Sequence, residues 1–239
     1  MKLLDDSERA RYRRHLLLPE LGEEGQLRLK NGSVLIIGAG GLGSPIALYL
    51  AAAGVGRIGI ADADRVDVSN LQRQVAHSTA DVGRLKVESA SESMTAINPN
   101  VAVEAISEMI TPDNIDHVID SYDFVIDATD SLDAKFFIDR ACVKAGKPYN
   151  HGAIWRYEGQ CMTVLPGTAS FSSLFPEGPE AVAKEDVAGP LGTVPGILGC
   201  IQASEAIKYL AGIGSLLTDR MLRFDILTMR FDEINLSGQ

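Results

Sequence analysis

Three groups of residues in this 239-residue chain have the types and spacing to do chemistry. The first is the run Gly38-Ala39-Gly40-Gly41-Leu42-Gly43, a glycine pattern suited to cradling phosphate. Gly38 permits a tight turn, Gly40 lets backbone approach a phosphate, and Gly43 allows close packing of a helix whose opening turn adds partial positive charge. Asp62 falls where a carboxylate accepts hydrogen bonds from ribose hydroxyls. Alone, this fingerprint says only nucleotide or dinucleotide, because dehydrogenases, flavoproteins and methyltransferase-like folds all present it.

Asp64, Asn70, Arg73 and Lys86 form the second group, which brings two cations and an amide close behind Asp62. Hydride transfer has no triphosphate charge to offset, whereas nucleotidyl transfer must neutralise three phosphates as the α–β bond breaks. Arg73 and Lys86 meet that need together, although either one alone reads as an ordinary surface cation. The third group, Asp127 and Asp130, ends an apolar run at 124–126. Asp127 reads as a turn cap, and Asp130 as the candidate to hold Mg²⁺ against phosphate oxygens.

These residues need particular elements to position them. Val34 to Ile37 is a β-branched run suited to a buried parallel strand. A helix is expected over 45–53, a strand over 57–61, a helix over 86–97 and a strand over 101–106. A short helix over 112–120, a strand over 124–126 and a helix over 134–145 follow. Alternation of this kind predicts an α/β fold with a Rossmann-like, doubly wound, mostly parallel sheet. Strands over 149–154 and 159–165, a helix over 196–210 and a hairpin over 221–234 make an antiparallel C-terminal extension. The stretch 177–195 is rich in Gly, Pro and Ala without periodicity, as a functional loop would be. At the start, 6–18 has helical spacing and carries Arg9, Arg11, Arg13 and Arg14. The expected organisation is one domain over 1–239, with a helical arm at 1–30, a nucleotide-binding half at 31–148 and a second half at 149–239.

Composition removes several classes. Lys plus Arg number 22 against 32 Asp plus Glu, a net charge of −10, which argues against nucleic-acid or anionic-membrane binding. The uncharged stretch 34–56 imitates a membrane span, but its glycines and Pro45 read as strand, loop and helix inside a protein. No secretory pattern opens the chain, and Cys142, Cys161 and Cys200 are odd in number and widely spaced, so a cytoplasmic setting is expected. His15, His77, His117 and His151 share no metal spacing.

Taken in order, several motifs resemble the MoeB/ThiF/HesA family, bacterial relatives of ubiquitin-activating enzymes. They are Arg11-Tyr12-Arg13-Arg14-His15, the glycine run with Ser44, Asp62-Ala63-Asp64, Ser69-Asn70-Leu71-Gln72-Arg73-Gln74, Val82-Gly83 with Lys86, Asp127-Ala128-Thr129-Asp130, and Glu158-Gly159-Gln160. The resemblance implies an adenylyltransferase that activates the C-terminal glycine carboxylate of a ubiquitin-fold sulfur carrier ending in Gly-Gly. ATP would lie against Gly41, with Asp62 on the ribose, and Asn70, Arg73 and Lys86 on the phosphates. Ser69 and Ser131 belong to the same implied ATP-binding set, and Asp130 would hold Mg²⁺. It also implies a homodimer in which Arg14 reaches the neighbouring subunit's ATP.

The chain departs from the family pattern at two places. Ser170 and Ser173 occupy the positions of the first zinc-binding cysteine pair of many relatives, and no second pair follows, so zinc is not expected. No cysteine lies in 177–195, near Glu185, where many relatives carry one. The expectation is that the acyl-adenylate is the product and that a separate protein donates sulfur. Trp155, Arg156 and Tyr157 are candidates to line a channel for the carrier's tail, although packing explains the aromatics equally well. Two other readings remain at this level: an NAD-dependent oxidoreductase, favoured by the glycine fingerprint alone, and a non-catalytic nucleotide-binding scaffold.

Overall fold

The N-terminal arm breaks into α1 (Asp6–Arg11), α2 (Arg13–Leu16) and α3 (Gly22–Asn31). The expected continuous helix over 6–18 is interrupted at Tyr12, whose ring is buried and whose hydroxyl accepts from Asn98 Nδ2 at 2.8 Å. α1 begins with a reciprocal cap, in which Asp5 accepts from the Glu8 amide and Glu8 from the Asp5 amide. α3 was not foreseen, because its polar, glycine-containing sequence presents few apolar positions. These features come from a computed structural model that describes residues 3–176, 178–181 and 189–237.

Every residue of β1 (Ser33–Ile37) is buried, and its side chains alternate between two helical layers. α4 (Gly43–Ala53), β2 (Arg57–Ala61), α5 (Lys86–Ile97), β3 (Ala102–Ile106), α6 (Ile115–Asp120), β4 (Phe124–Asp127) and α7 (Leu132–Ala145) follow. β5 (Tyr149–Trp155), β6 (Glu158–Val164), α8 (Phe171–Leu174), α9 (Thr193–Ala211), β7 (Arg220–Asp225) and β8 (Arg230–Asn235) complete the order. Among the described residues, eight strands form one sheet in the order β3-β2-β1-β4-β5-β6-β7-β8. The pairs from β3 through β5 are parallel, and those from β5 through β8 are antiparallel, as the periodicity predicted.

Val34 and Ile36 face the layer built by α3, α4, α5 and α9, with Leu29, Ile46, Leu50, Met94 and Ala206. Leu35 and Ile37 face the other layer, with Ile119 from α6 and Ile138 from α7. α4 begins at Gly43, ahead of the start expected at 45, and α9 at Thr193, ahead of that expected at 196, with Pro45 and Pro195 each inside the first turn. Proline is tolerated there because first-turn N–H groups have no intrahelical acceptor. Residues 177 and 182–188 of the expected loop over 177–195 lie outside the described residues, and Glu185 with them. Among the described residues, no helix is long and apolar enough to cross a membrane.

Candidate functional site

β1 leads into α4 on one face of the sheet and β4 into α7 on the other, so the carboxyl ends of these adjacent strands open a crevice. A cavity of about 550 Å³ occupies it. Its floor is the glycine turn. Gly38 has φ +106°, and a Cβ there would stand 2.7 Å from Ala128 O, so this turn tolerates no side chain. A Cβ on Gly43 would stand 2.0 Å from Gly38 O, which makes Gly43 a packing position behind the turn.

The turn is braced from two sides. Asp62 accepts from the Ala39 amide through Oδ2 and from the Asp64 amide through Oδ1, each at 2.8 Å. On the other side, the His77 ring is buried, with Nε2 3.1 Å from Ala39 O and Nδ1 2.9 Å from Ser89 Oγ. A carbonyl only accepts, so Nε2 carries the proton and Nδ1 accepts from the serine. Burial lowers the His77 pKa, in keeping with that neutral ring.

Gly38, Gly40, Gly41, Asp62, Asp64, Arg73, Lys86, Asp130 and Ser131 all line this cavity. Lys86 is buried at the start of α5 and donates from Nζ to Asp64 Oδ2 at 2.8 Å. The aliphatic part of Arg73 packs near Gly41, and Arg73 Nη1 donates to Ser69 O at 3.2 Å. Asp130 is exposed at the mouth, and Ser131 caps α7. Gly43, Ser69 and Asn70 do not line it. Ser69 Oγ donates to Asp67 Oδ1 at 2.6 Å, and Asn70 Oδ1 accepts from the Asp67 amide at 3.1 Å, so both shape the turn that carries Arg73. Arg14 lies on the exposed surface of α2, outside the cavity lining.

Behind Asp130 sits an ionic cluster that the sequence did not reveal. Asp127, besides capping the turn through Thr129, is completely buried beside Lys135 of α7. Lys135 Nζ donates to Thr129 O at 2.7 Å, Gly152 O at 2.6 Å and Asp127 Oδ2 at 3.1 Å. One ammonium thus ties the end of β4, the turn leading to Asp130, and β5. Burial opposes ionisation of Asp127, but the Lys135 charge prevails and holds the carboxyl below its usual range. His151 stacks on Phe171 at 4.1 Å, with Nδ1 3.3 Å from Asp127 Oδ2, and burial lowers its pKa.

Ile154, Trp155 and Pro190 supply one further wall, and Glu108, Met109, Ile110 and Phe137, none of which the sequence singled out, supply another. The β5–β6 turn is Arg156-Tyr157, with Arg156 at φ +51° and its guanidinium 4.1 Å from the Trp155 ring centre. Arg156 O accepts from the Leu191 amide at 3.0 Å. On the far side of this strap, a Cβ on Gly192 would stand 2.2 Å from Gln72 O. The segment 189–192 is therefore pinned between the hairpin and the Arg73 turn.

Among the described residues, no group of three or more His, Cys, Asp or Glu is placed to hold a metal ion. Ser170 and Ser173 cap α8 reciprocally, each side chain meeting the other's amide. Cys142 and Cys161 are buried and Cys200 is half-buried. Burial raises all three thiol pKa values, that of Cys161 to about 12. Lys135 could have been suspected only from its place on the sheet-facing side of a helix directly following the acidic turn.

Fold and site together define a doubly wound α/β protein whose crevice gathers cations beside a glycine turn. The chain belongs to the ThiF family, whose sequence pattern matches residues 12–239. It is 47% identical over 232 residues to the maize (Zea mays) protein named adenylyltransferase and sulfurtransferase MOCS3-1, covering 95% of this chain and 49% of that protein. The chain thus spans about half the length of that relative. It is 42% identical to the sulfur carrier protein adenylyltransferase of Thermus thermophilus, covering 94% of this chain and 86% of that protein. The crystal structure of PaaA superimposes with a TM-score of 0.84 at 25% identity, covering 99% of this chain and 76% of that one.

Proposed function

We propose that this chain adenylylates the C-terminal glycine carboxylate of a ubiquitin-fold sulfur carrier protein, with ATP seated in the crevice. The observation that carries the reading is the convergence of Arg73, Lys86 and Asp130 with Gly38, Gly40 and Gly41 on one cavity. The names of the maize and Thermus relatives support the same reaction. A hydride-transfer enzyme has no use for that set of charges.

The proposed step follows from charge. A carboxylate oxygen of the carrier bonds to the α-phosphorus of ATP, the bond from that phosphorus to the β-bridging oxygen breaks, and pyrophosphate leaves. No proton moves, because the carboxylate is already ionised near neutral pH. Arg73 and Lys86 screen the two anions as they approach, and the Lys86–Asp64 ion pair holds that ammonium at the cavity wall. Asp62 is assigned to the ribose. Asp130 is assigned to Mg²⁺: one exposed carboxylate beside a triphosphate fits a cation that is bound through one or two carboxylates plus substrate phosphates. When bound, that ion neutralises charge on the leaving pyrophosphate.

Arg14 is assigned a role in trans, in a homodimer, since it lies outside its own subunit's cavity lining. Sulfur is assigned to a separate donor, because no cysteine lies in 177–195 and Cys142, Cys161 and Cys200 sit buried or half-buried within helices and a strand. A cytoplasmic setting accords with those free cysteines. Carrier-dependent ATP–pyrophosphate exchange tests the reading. Arg73→Ala and Asp130→Ala are expected to lower the exchange rate on the order of 100-fold or more while leaving the thermal transition intact. Near-normal exchange in either variant refutes the assignment.

A further inference from the structure

One peptide group of the glycine turn decides by its direction what a phosphate meets. In a trans peptide the C=O and N–H point opposite ways, so the side that takes the Ala39 carbonyl fixes the side that takes the Gly40 N–H. This plane turns over by rotation about ψ of Ala39 and φ of Gly40, and glycine accepts either sign of φ. The turn by itself therefore leaves the choice open, an N–H or a carbonyl toward the crevice.

His77 makes that choice. Its Nε2–H donates to Ala39 O at 3.1 Å, and Ala39 is fully buried. Gly40 is half-buried and lines the cavity, whereas His77 does not. The carbonyl is thus drawn behind the turn, which leaves the Gly40 N–H on the cavity side, with no acceptor among the described residues. The ring is itself held, since Ser89 Oγ donates to Nδ1 at 2.9 Å and keeps the ring proton on Nε2. Next to it, Ser93 Oγ donates to Ala76 O at 2.7 Å, fastening the segment that carries Arg73 to α5, the helix that Lys86 begins. His77 sits where the glycine turn, the Arg73 segment and the Lys86 helix meet.

We propose that His77 is a positioning residue for the phosphates: by holding the Ala39 carbonyl behind the turn, it keeps the Gly40 N–H presented as a donor to a phosphate oxygen. This rests on the adenylylation reading above and adds to it a residue outside the cavity that sets the polarity of the cavity floor. His77 acts only through the turn.

Calorimetric titration with ATP and Mg²⁺, and separately with adenosine, tells this role from one in folding alone, because only ATP carries phosphates. His77→Phe keeps a flat ring but removes the N–H. Its ATP affinity is expected to fall on the order of 10- to 100-fold, the range for a hydrogen bond to a charged group, with adenosine affinity unchanged. His77→Gln, whose carboxamide N–H reaches to where Nε2 stood, is expected to recover most of that loss. Wild-type ATP affinity in His77→Phe, or an equal loss for ATP and adenosine, overturns the proposal. So does a His77→Gln variant that binds ATP no better than His77→Phe. Nitrogen-15 NMR of the wild type needs no substitution, so it holds even where a variant fails to fold. It is expected to show the Nε2–H tautomer at His77 and a downfield shift of the Gly40 amide proton on adding ATP. The Nδ1–H tautomer, or a Gly40 amide that does not respond to saturating ATP, overturns the proposal and leaves adenylylation standing. Failure of the wild-type chain to bind ATP at all overturns the adenylylation reading, and this role falls with it.

Discussion

Lys135→Met is the most informative single perturbation of the crevice. The substitution keeps an unbranched chain of similar length but removes the ammonium that bonds to Thr129 O, Gly152 O and Asp127. Asp127 is wholly buried, and His151 beside it is held neutral, so its carboxylate would be left without a cation. Removing one partner of a buried pair costs about 3–5 kcal/mol. For a chain of 150–250 residues each kcal/mol moves the thermal midpoint by about 2–4 °C, so the expected drop is about 6–20 °C. The double variant Asp127→Asn, Lys135→Met removes the stranded charge and should recover more than half of the loss. Differential scanning calorimetry on the wild type, both singles and the double gives the coupling directly. Because the same ammonium fixes Thr129 next to Asp130, the exchange rate should also fall in the single variant at temperatures where it remains folded. A single variant that loses under about 1 kcal/mol, or a double that costs the sum of the two singles, refutes the reasoning.

Further outcomes follow from the same geometry. Gly43→Ala places a Cβ 2.0 Å from Gly38 O and should cost several °C in thermal midpoint together with nucleotide affinity, read by calorimetry with and without ATP. Gly192→Ala pushes against Gln72 O, where the gap is 2.2 Å, and should raise KM for the carrier more than KM for ATP in exchange assays. Burial keeps His77 and His151 neutral in the fold, whereas an unfolded histidine titrates near pH ~6.5. The unfolded chain then binds more protons below that pH, so this stability is present above about pH 7 and is lost as the pH falls through about 6.5. A thermal midpoint that does not change between about pH 7.5 and 5.5 contradicts this, and His151→Gln should flatten the slope. With the thiol of Cys161 pushed up to about 12 and the other two also raised, native protein should react slowly with a neutral-pH thiol reagent, Cys200 first. A carrier adduct cleaved by reductant would show a cysteine acting in the reaction.

What the sequence determined by itself was whatever neighbours in the chain decide. Val34–Ile37, the glycine turn, the following helix and Arg57–Ala61 form one continuous βαβ unit, and its strand pairing follows from β-branched runs and connection lengths. The charged residues lining the crevice, Glu108 excepted, were legible for the same reason, since each ends or follows an element whose carboxyl end must face it. Boundaries shifted where a proline entered a first turn, and Tyr12 broke a regular helical pattern because its ring had a buried site to fill. Tertiary structure alone decided the rest. Lys135 reaches Asp127, Thr129 and Gly152, and the Leu191 amide finds Arg156 O, only because the sheet brings β4, β5 and the strap side by side. Nothing in the residue types of Asp127 or Lys135 announces their pairing. A contact that joins β4, α7 and β5 is a property of the whole packed wall, and no local stretch of chain encodes it.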